Sequence, residues 1–218
     1  PMPPQQRDLV STANYSGKAL VRIISDILDF SRMEAGKMQL VPEPFDVKAS
    51  VLSSLRLFQE EAAKKNLRFD IDVDPTIPAV LTGDDARVRQ ILFNLVGNSL
   101  KFTERGGISV RCALEKPGRD GKVPIIIRVA DTGIGIPLEK QKSIFDAFTQ
   151  VDSFSTKKYP GTGLGLSIVK RLTALMHGSV VLESEEGWGT TVTCTLVLDA
   201  AAGQLPEISR IADLPPPS

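Results

Sequence analysis

The sequence predicts one α/β domain behind a long amphipathic helix. Three observations carry this reading. Residues 5–36 repeat apolar side chains at heptad spacing. Residues 67–73 alternate apolar and polar side chains in the manner of a half-buried strand. From residue 84 to 198, helix-like and strand-like segments interchange, and Gly161, Gly163 and Gly165 precede the helical run LSIVKRLTALM.

The first helix rests on Leu9, Ala13, Ser16, Leu20, Ile23, Ile27 and Phe30, spaced by four and three. Val10, Gly17, Val21, Ile24 and Leu28 widen the stripe. Such a helix runs roughly 45–50 Å and its apolar face requires a bundle. No second long helix precedes it, and PMPPQQ reads as a loop. The expectation is therefore that the sequence begins inside a longer protein, with the partner helix upstream. Gly36 stops the helix, and VPEPF cannot continue it.

The domain follows in order. Helix signals cover 47–65. Leu67, Phe69, Ile71 and Val73 mark a strand, and a helix runs from near Asp84 to about Phe102. Strands at 107–115 and 124–130 are joined by KPGRDGKV, which is rich in turn residues. A helix over 163–176 leads into strands at 179–184 and 190–198. The last stretch, AAAGQLPEISRIADLPPPS, reads as a linker leaving the domain. The organisation expected is a helical segment at 1–40, a domain at 41–199 and a linker at 200–218.

Composition excludes several function classes. The 218 residues are 42% hydrophobic and 24% charged, with 26 basic and 26 acidic side chains. A net charge of zero does not suit electrostatic capture of nucleic acid or a membrane surface. No apolar run reaches the roughly 18 residues of a spanning helix, and no signal peptide is visible. Cys112 and Cys194 sit singly on strand-like stretches, as buried reduced thiols would, which points to the cytosol.

Three stretches carry chemistry. On helix 84–102, Val88, Ile91, Leu92, Leu95, Val96 and Leu100 form the apolar face. Asn94, Asn98 and Lys101 stack on another face at i, i+4 and i+7. Two amides and an ammonium offer oxygen ligands for Mg²⁺ and a positive charge for a phosphate; a solvated helix face is the plain alternative. In VADTGIGIP, Asp131 ends the apolar strand IIIRVA and can accept from an exocyclic amine, while Gly133 and Gly135 let backbone approach a flat ligand. A strand-ending Asp in a tight turn is the alternative there. In GTGLGL, glycines without Cβ can aim N–H groups at an anion beside a helix N-terminus. The spacing is neither a P-loop nor a dinucleotide fingerprint, and a flexible hinge is the alternative.

In order along the chain, DARVRQILFNLVGNSLKFT, DTGIGIP, IFDAFTQ, GTGLGLSIVKRL and GWGTTVTC resemble the asparagine, glycine and phenylalanine boxes of sensor histidine kinases. DILDFSRMEAGKMQL resembles the end of the second helix of that family's dimerisation and phosphotransfer domain. GKALVRIISDILDFSRMEAGK and FTQVDSFSTKKYPGTGLGLS most resemble the hybrid kinases, which carry receiver domains after the kinase core. The resemblance covers about residues 5–198. It implies a two-layer α/β sandwich, a mixed sheet of about five strands under three helices, of the type shared with gyrase and chaperone ATPases.

It also implies roles. Asp131 would accept from the adenine amino group, Gly133 and Gly135 would make room for the base, and Thr190 would help hold it through water. Asn98 would ligate Mg²⁺, while Asn94 and Lys101 would reach the phosphates or the metal shell as the catalytic pair. Gly161, Thr162, Gly163, Leu164, Gly165 and Leu166 would close over the triphosphate. Phe145 and Phe148 would anchor a lid at about 149–160 by packing, helped by Phe154 and Tyr159. Lys157 and Lys158 could touch the phosphates or form a solvated charge pair. Gln150 stands where many relatives carry arginine; glutamine is common in the hybrid group.

Gyrase-like and chaperone ATPases carry a water-activating glutamate where this chain has Asn94, a poor general base. That favours transfer to a protein acceptor, a reaction needing mainly positioning and charge neutralisation. The family's acceptor histidine, in a motif like H-E-x-R-T-P, is missing from this sequence. The only histidine, His177, precedes Gly178, a natural residue for a helix C-terminus, and reads as a cap. The expected function is the ATP- and Mg²⁺-binding catalytic core of a two-component sensor kinase. It would donate the γ-phosphoryl group to a histidine outside this chain, homodimerise through a four-helix bundle and serve a receiver domain or response regulator, with no nucleic-acid partner. The fragment alone would not phosphorylate itself. The location expected is cytoplasmic, as the soluble part of a membrane-anchored bacterial sensor. A serine kinase or ATPase of the same superfamily would lack the bundle helix and the DFSRMEAGK junction. The alternative is a regulatory module that binds nucleotide and pairs with another kinase with little phosphotransfer.

Overall fold

The computed structural model describes residues 3–115, 121–149 and 162–201. Helix α1 spans Pro4–Glu34, β1 Glu43–Phe45, α2 Val47–Lys64, β2 Arg68–Val73, β3 Leu81–Gly83 and α3 Asp85–Phe102. Then come β4 Gly107–Leu114, β5 Lys122–Asp131, α4 Leu138–Gln141, α5 Gly165–Leu175, β6 Ser179–Glu185 and β7 Gly189–Ala200. The strands form one sheet in the order β1-β3-β7-β5-β4-β2, with β6 also on β7. Only β2–β4 is parallel among these pairs, so the sheet is mixed, as the sequence predicts.

The strand count differs: among the described residues the sheet has seven strands, where about five were expected. The two unforeseen strands, β1 and β3, are three residues each, too short to show alternation. β1 contains Pro44 and lies at an end of the strand order, where a missing N–H is tolerated. Helix α4, a single turn, was also unforeseen.

Alternation builds the two layers. Val123, Ile125, Ile127 and Val129 of β5 are buried, as are Val192, Cys194, Leu196 and Leu198 of β7. They join one core with Val51, Leu55 and Phe58 of α2, Ile91, Leu92 and Leu95 of α3, and Ile168, Val169 and Leu172 of α5. Intervening positions carry exposed ion pairs, Arg111–Asp72 and Lys122–Asp199 among them, so the opposite face meets water. Each apolar side chain moved out of water adds about 1.5–3 kcal/mol, which makes this face the main source of stability.

Helix ends are set by local chemistry. Asp46 caps α2 by accepting from Ala49 N at 2.9 Å, and Asp84 caps α3 by accepting from Arg87 N at 3.1 Å. α1, α2 and α5 end in Schellman geometry, with Gly36, Asn66 and His177 in the left-handed region. The last corrects the sequence reading: His177, φ +56°, occupies the position expected of Gly178. Gly178 is needed for a different reason, since a Cβ there would stand 1.7 Å from Thr195 O.

At about 1.5 Å per residue, the 31 residues of α1 extend roughly 46 Å. Its last turns dock on the domain. Asp29 accepts from Arg87 and Gln90 of α3, both at 2.9 Å, and Glu34 pairs with Arg171 of α5. Leu9, Val10, Leu20, Val21, Ile23, Ile24, Ile27 and Leu28 remain exposed.

Candidate functional site

α3 presents Asn94, Asn98 and Lys101 as its 3.6-residue period dictates. Asn94 is buried and Asn98 half-buried. The N-terminus of α5 lies over them: a Cβ built on Gly165 would stand 3.5 Å from Asn94 Oδ1 and 3.8 Å from Asn98 Nδ2. The glycine-rich stretch and the amide-bearing helix, 67 residues apart in sequence, thus share one site. Lys101 is on the same face of α3, and its ammonium lies 4.7 Å from the centroid of the Phe102 ring. Partial burial lowers its pKa from the ordinary lysine value.

Helix α5 begins without a side-chain cap among the described residues; Leu164 N takes only a 3.3 Å bond to Thr162 Oγ1. Among the described residues no side chain caps its first N–H groups, the kind of donors that suit an anion. Leu164 is fully buried and Leu166 packs against the core. These leucines anchor the turn, so contact with a ligand there falls to backbone. Gly163, φ +71°, lies so close to residue 148 that a Cβ would stand 2.8 Å from Phe148 C. Phe148 N donates to Gly163 O at 3.1 Å, which fixes the turn from below. Gly161, with Gln150, Phe154, Lys157, Lys158 and Tyr159, lies outside the described residues.

Asp131 ends β5 on the same side. Its Oδ2 accepts from Ser99 Oγ at 2.8 Å and its Oδ1 from Gly133 N at 3.0 Å. Burial pushes its carboxyl above the usual range, opposed by the bonds from Ser99, Gly133 and Thr190. Thr190 stands opposite Asp131 in the β5–β7 register, and its hydroxyl lies 2.8 Å from Ser184 Oγ. Gly133 and Gly135 give room to the protein's own backbone: a Cβ would come within 2.6 Å of Phe102 O at the first and 1.9 Å of Glu185 O at the second.

Phe148 differs from a packed anchor. It is 64% exposed, with φ +62°, and its ring meets Phe30 of α1. Phe145 is half-buried, with Lys170 Nζ 5.9 Å from its ring centroid. Sequence reasoning missed Ser99 and Ser184. Ser99 carries a faint signal, a small hydroxyl beside Asn98 on a largely apolar helix. Ser184 carries none, because its role depends on the β6–β7 pairing. Both cysteines are buried and unpaired, and burial holds each thiol up to about 12, as expected of inert reduced thiols.

Residues 83–200 match the family model described as histidine kinase-, DNA gyrase B-, and HSP90-like ATPase. The chain is 40% identical over 193 residues to hybrid signal transduction histidine kinase B of Dictyostelium discoideum, covering 88% of this chain and 10% of that protein. It is 38% identical over 197 residues to signal transduction histidine-protein kinase BarA of Escherichia coli, covering 90% of this chain and 21% of that protein. It thus spans about a tenth and a fifth of these two relatives. Among solved structures, full-length ShkA in complex with AMPPNP superposes with a TM-score of 0.74 at 32% identity, covering 94% of this chain and 41% of that one.

Proposed function

This chain belongs to the histidine kinase-, DNA gyrase B-, and HSP90-like ATPase family, as its ATP-binding catalytic domain of the histidine-kinase type, and on that premise we propose how it works. Asp131 accepts from the adenine amino group, with Thr190 beside it. The N–H groups opening α5 and the glycine-rich stretch 161–166 receive the phosphates, helped by Lys101 and Asn94. Asn98 would hold Mg²⁺, its amide offering an oxygen ligand. The donor set fits that ion: the amide of Asn98, half-buried on α3 beside the N-terminus of α5, offers a hard oxygen, the kind of ligand Mg²⁺ would share with water and phosphate. When bound, Mg²⁺ supplies charge neutralisation for the transferring phosphoryl group. The observation that carries the reading is Gly165 set over Asn94 and Asn98, with Ser99, the next residue, bonded to Asp131.

In the whole protein the γ-phosphoryl group passes to a histidine on a bundle helix. Asn94 cannot take a proton from water as a carboxylate would, which favours an acceptor brought in from outside. His177 does not fit that part. It ends α5 at the end opposite Gly165, about 18 Å along the helix axis at 1.5 Å per residue. The exposed stripe of α1 supports homodimerisation through a four-helix bundle. Segment 1–40 is then part of that bundle, 41–199 the catalytic domain and 200–218 a connection toward a receiver domain, residues 202–218 lying outside the described part. No described helix is long and apolar enough to cross a membrane, and we assign this part to the cytoplasmic side.

Calorimetric titration with Mg²⁺-ATP tests the pocket. Mixing with a chain that carries an acceptor-histidine helix tests transfer. Binding followed by phosphorylation of that helix is expected. Binding without transfer would make the chain a regulatory partner, and absence of binding would overturn the proposal.

A further inference from the structure

The carboxyl of Asp131 is held from two sides before any ligand arrives. Ser99 Oγ donates to Oδ2 at 2.8 Å from α3, and Gly133 N donates to Oδ1 at 3.0 Å from the following turn. Ser99 is buried, so its hydroxyl cannot turn to bulk water instead. Thr190 of β7 and Ile108 of β4, the residues that pair with Asp131 in the sheet, carry no charge. Lys101, two residues beyond Ser99, directs its ammonium over Phe102. Neutral donors alone therefore oppose the burial that favours protonation.

This matters for base choice. An ionised carboxylate only accepts hydrogen bonds; a protonated one also donates. Adenine presents an amine at C6 and guanine a carbonyl. A carboxylate at that edge selects the amine, and a carboxylic acid tolerates the carbonyl.

We propose that Ser99 is a positioning and specificity-determining residue: its hydroxyl fixes Asp131 as an acceptor-only carboxylate and so sets adenine over guanine. The inference rests on the assignment of Asp131 to the base. It adds Ser99, whose reach into the site comes entirely through Asp131.

The test compares the full chain with Ser99→Ala, a change that removes one buried oxygen and adds no bulk. Mg²⁺-ADP and Mg²⁺-GDP are titrated calorimetrically between pH 5 and pH 8. In Ser99→Ala, ADP affinity falls about tenfold, the worth of one hydrogen bond to a charged group. Loss of ADP binding on acidification begins at higher pH than in the parent chain, and the ADP-to-GDP affinity ratio narrows as pH falls. A uniform affinity loss at every pH, with the ratio unchanged, would show a merely structural role and overturn the proposal. The ¹³C titration of the Asp131 carboxyl in the ligand-free chain provides a second arm. An upward move in Ser99→Ala supports the coupling, and an unmoved titration overturns it even if the parent chain binds no nucleotide. Failure of the parent chain to bind ADP would instead overturn the assignment of Asp131.

Discussion

The ring of Phe30 meets that of Phe148 edge-on, with centroids 5.8 Å apart and planes at 70°. Phe30 belongs to the long helix and Phe148 to the segment whose backbone fixes Gly163. Arg171 adds its guanidinium 5.0 Å from the Phe30 centroid and pairs with Glu34. One aromatic contact thus joins α1 to the floor of the glycine turn. Phe30→Ala is expected to cost roughly 1–2 kcal/mol, from the lost edge contact and lost packing. Hydrogen exchange should show faster opening of residues 26–36, with the α3–β5 core unchanged. Unchanged exchange there would mean that the contact carries no docking energy.

Asn98→Ala and Asp131→Ala should each weaken nucleotide binding without unfolding the chain. Loss of a hydrogen bond to a charged group is worth about 1.5–3 kcal/mol, or roughly 10–150-fold in Kd. Only the Asn98 variant should lose the Mg²⁺ dependence of binding. Equal Mg²⁺ dependence in both variants and the parent would remove Asn98 from the metal assignment.

The raised carboxyl of Asp131 makes a signed prediction for stability. Its pKa is higher folded than unfolded, so the folded state holds the proton longer, and this group costs stability as pH rises past its unfolded value. Asp131→Asn removes that cost while its amide can still accept from Gly133 and donate to Ser99 Oγ. Without nucleotide, the variant should melt higher than the parent at neutral pH, by about 2–4 °C for each kcal/mol recovered. The advantage should shrink on acidification, where the parent's carboxyl is itself protonated. Thermal scans from pH 4 to pH 8 check both the sign and the trend.

His177 and Gly178 divide two roles that neighbouring residues at a helix end easily confuse. His177→Gly should stabilise the domain by up to about 1 kcal/mol, because a left-handed residue costs less without Cβ. Nucleotide binding should not change. Gly178→Ala should destabilise by several times that amount, since its Cβ would overlap Thr195 O. Denaturant melts of the two variants should move in opposite directions.

Much of the protein was legible in its sequence because local chemistry is periodic. The 3.6-residue spacing placed Asn94, Asn98 and Lys101 on one face of α3, two-residue alternation located β2, and strand-like stretches bounded by turn residues located β4, β5, β6 and β7. Asp131 at the end of an apolar strand and glycines ahead of a helix were visible as chemistry without coordinates. Short elements were not: β1 and β3 have three residues each, and their pairing depends on β7. Only the tertiary structure set Gly165 over the two asparagines, gave Asp131 the hydroxyl of Ser99, and spent Gly133 and Gly135 on contacts with distant backbone. It alone turned Phe148 toward Phe30 rather than into the core. The physical reason is one of range. Propensity, capping and amphipathic period act within a few residues, whereas a hydrogen bond between residues 99 and 131 exists only after the core has brought α3 and β5 together.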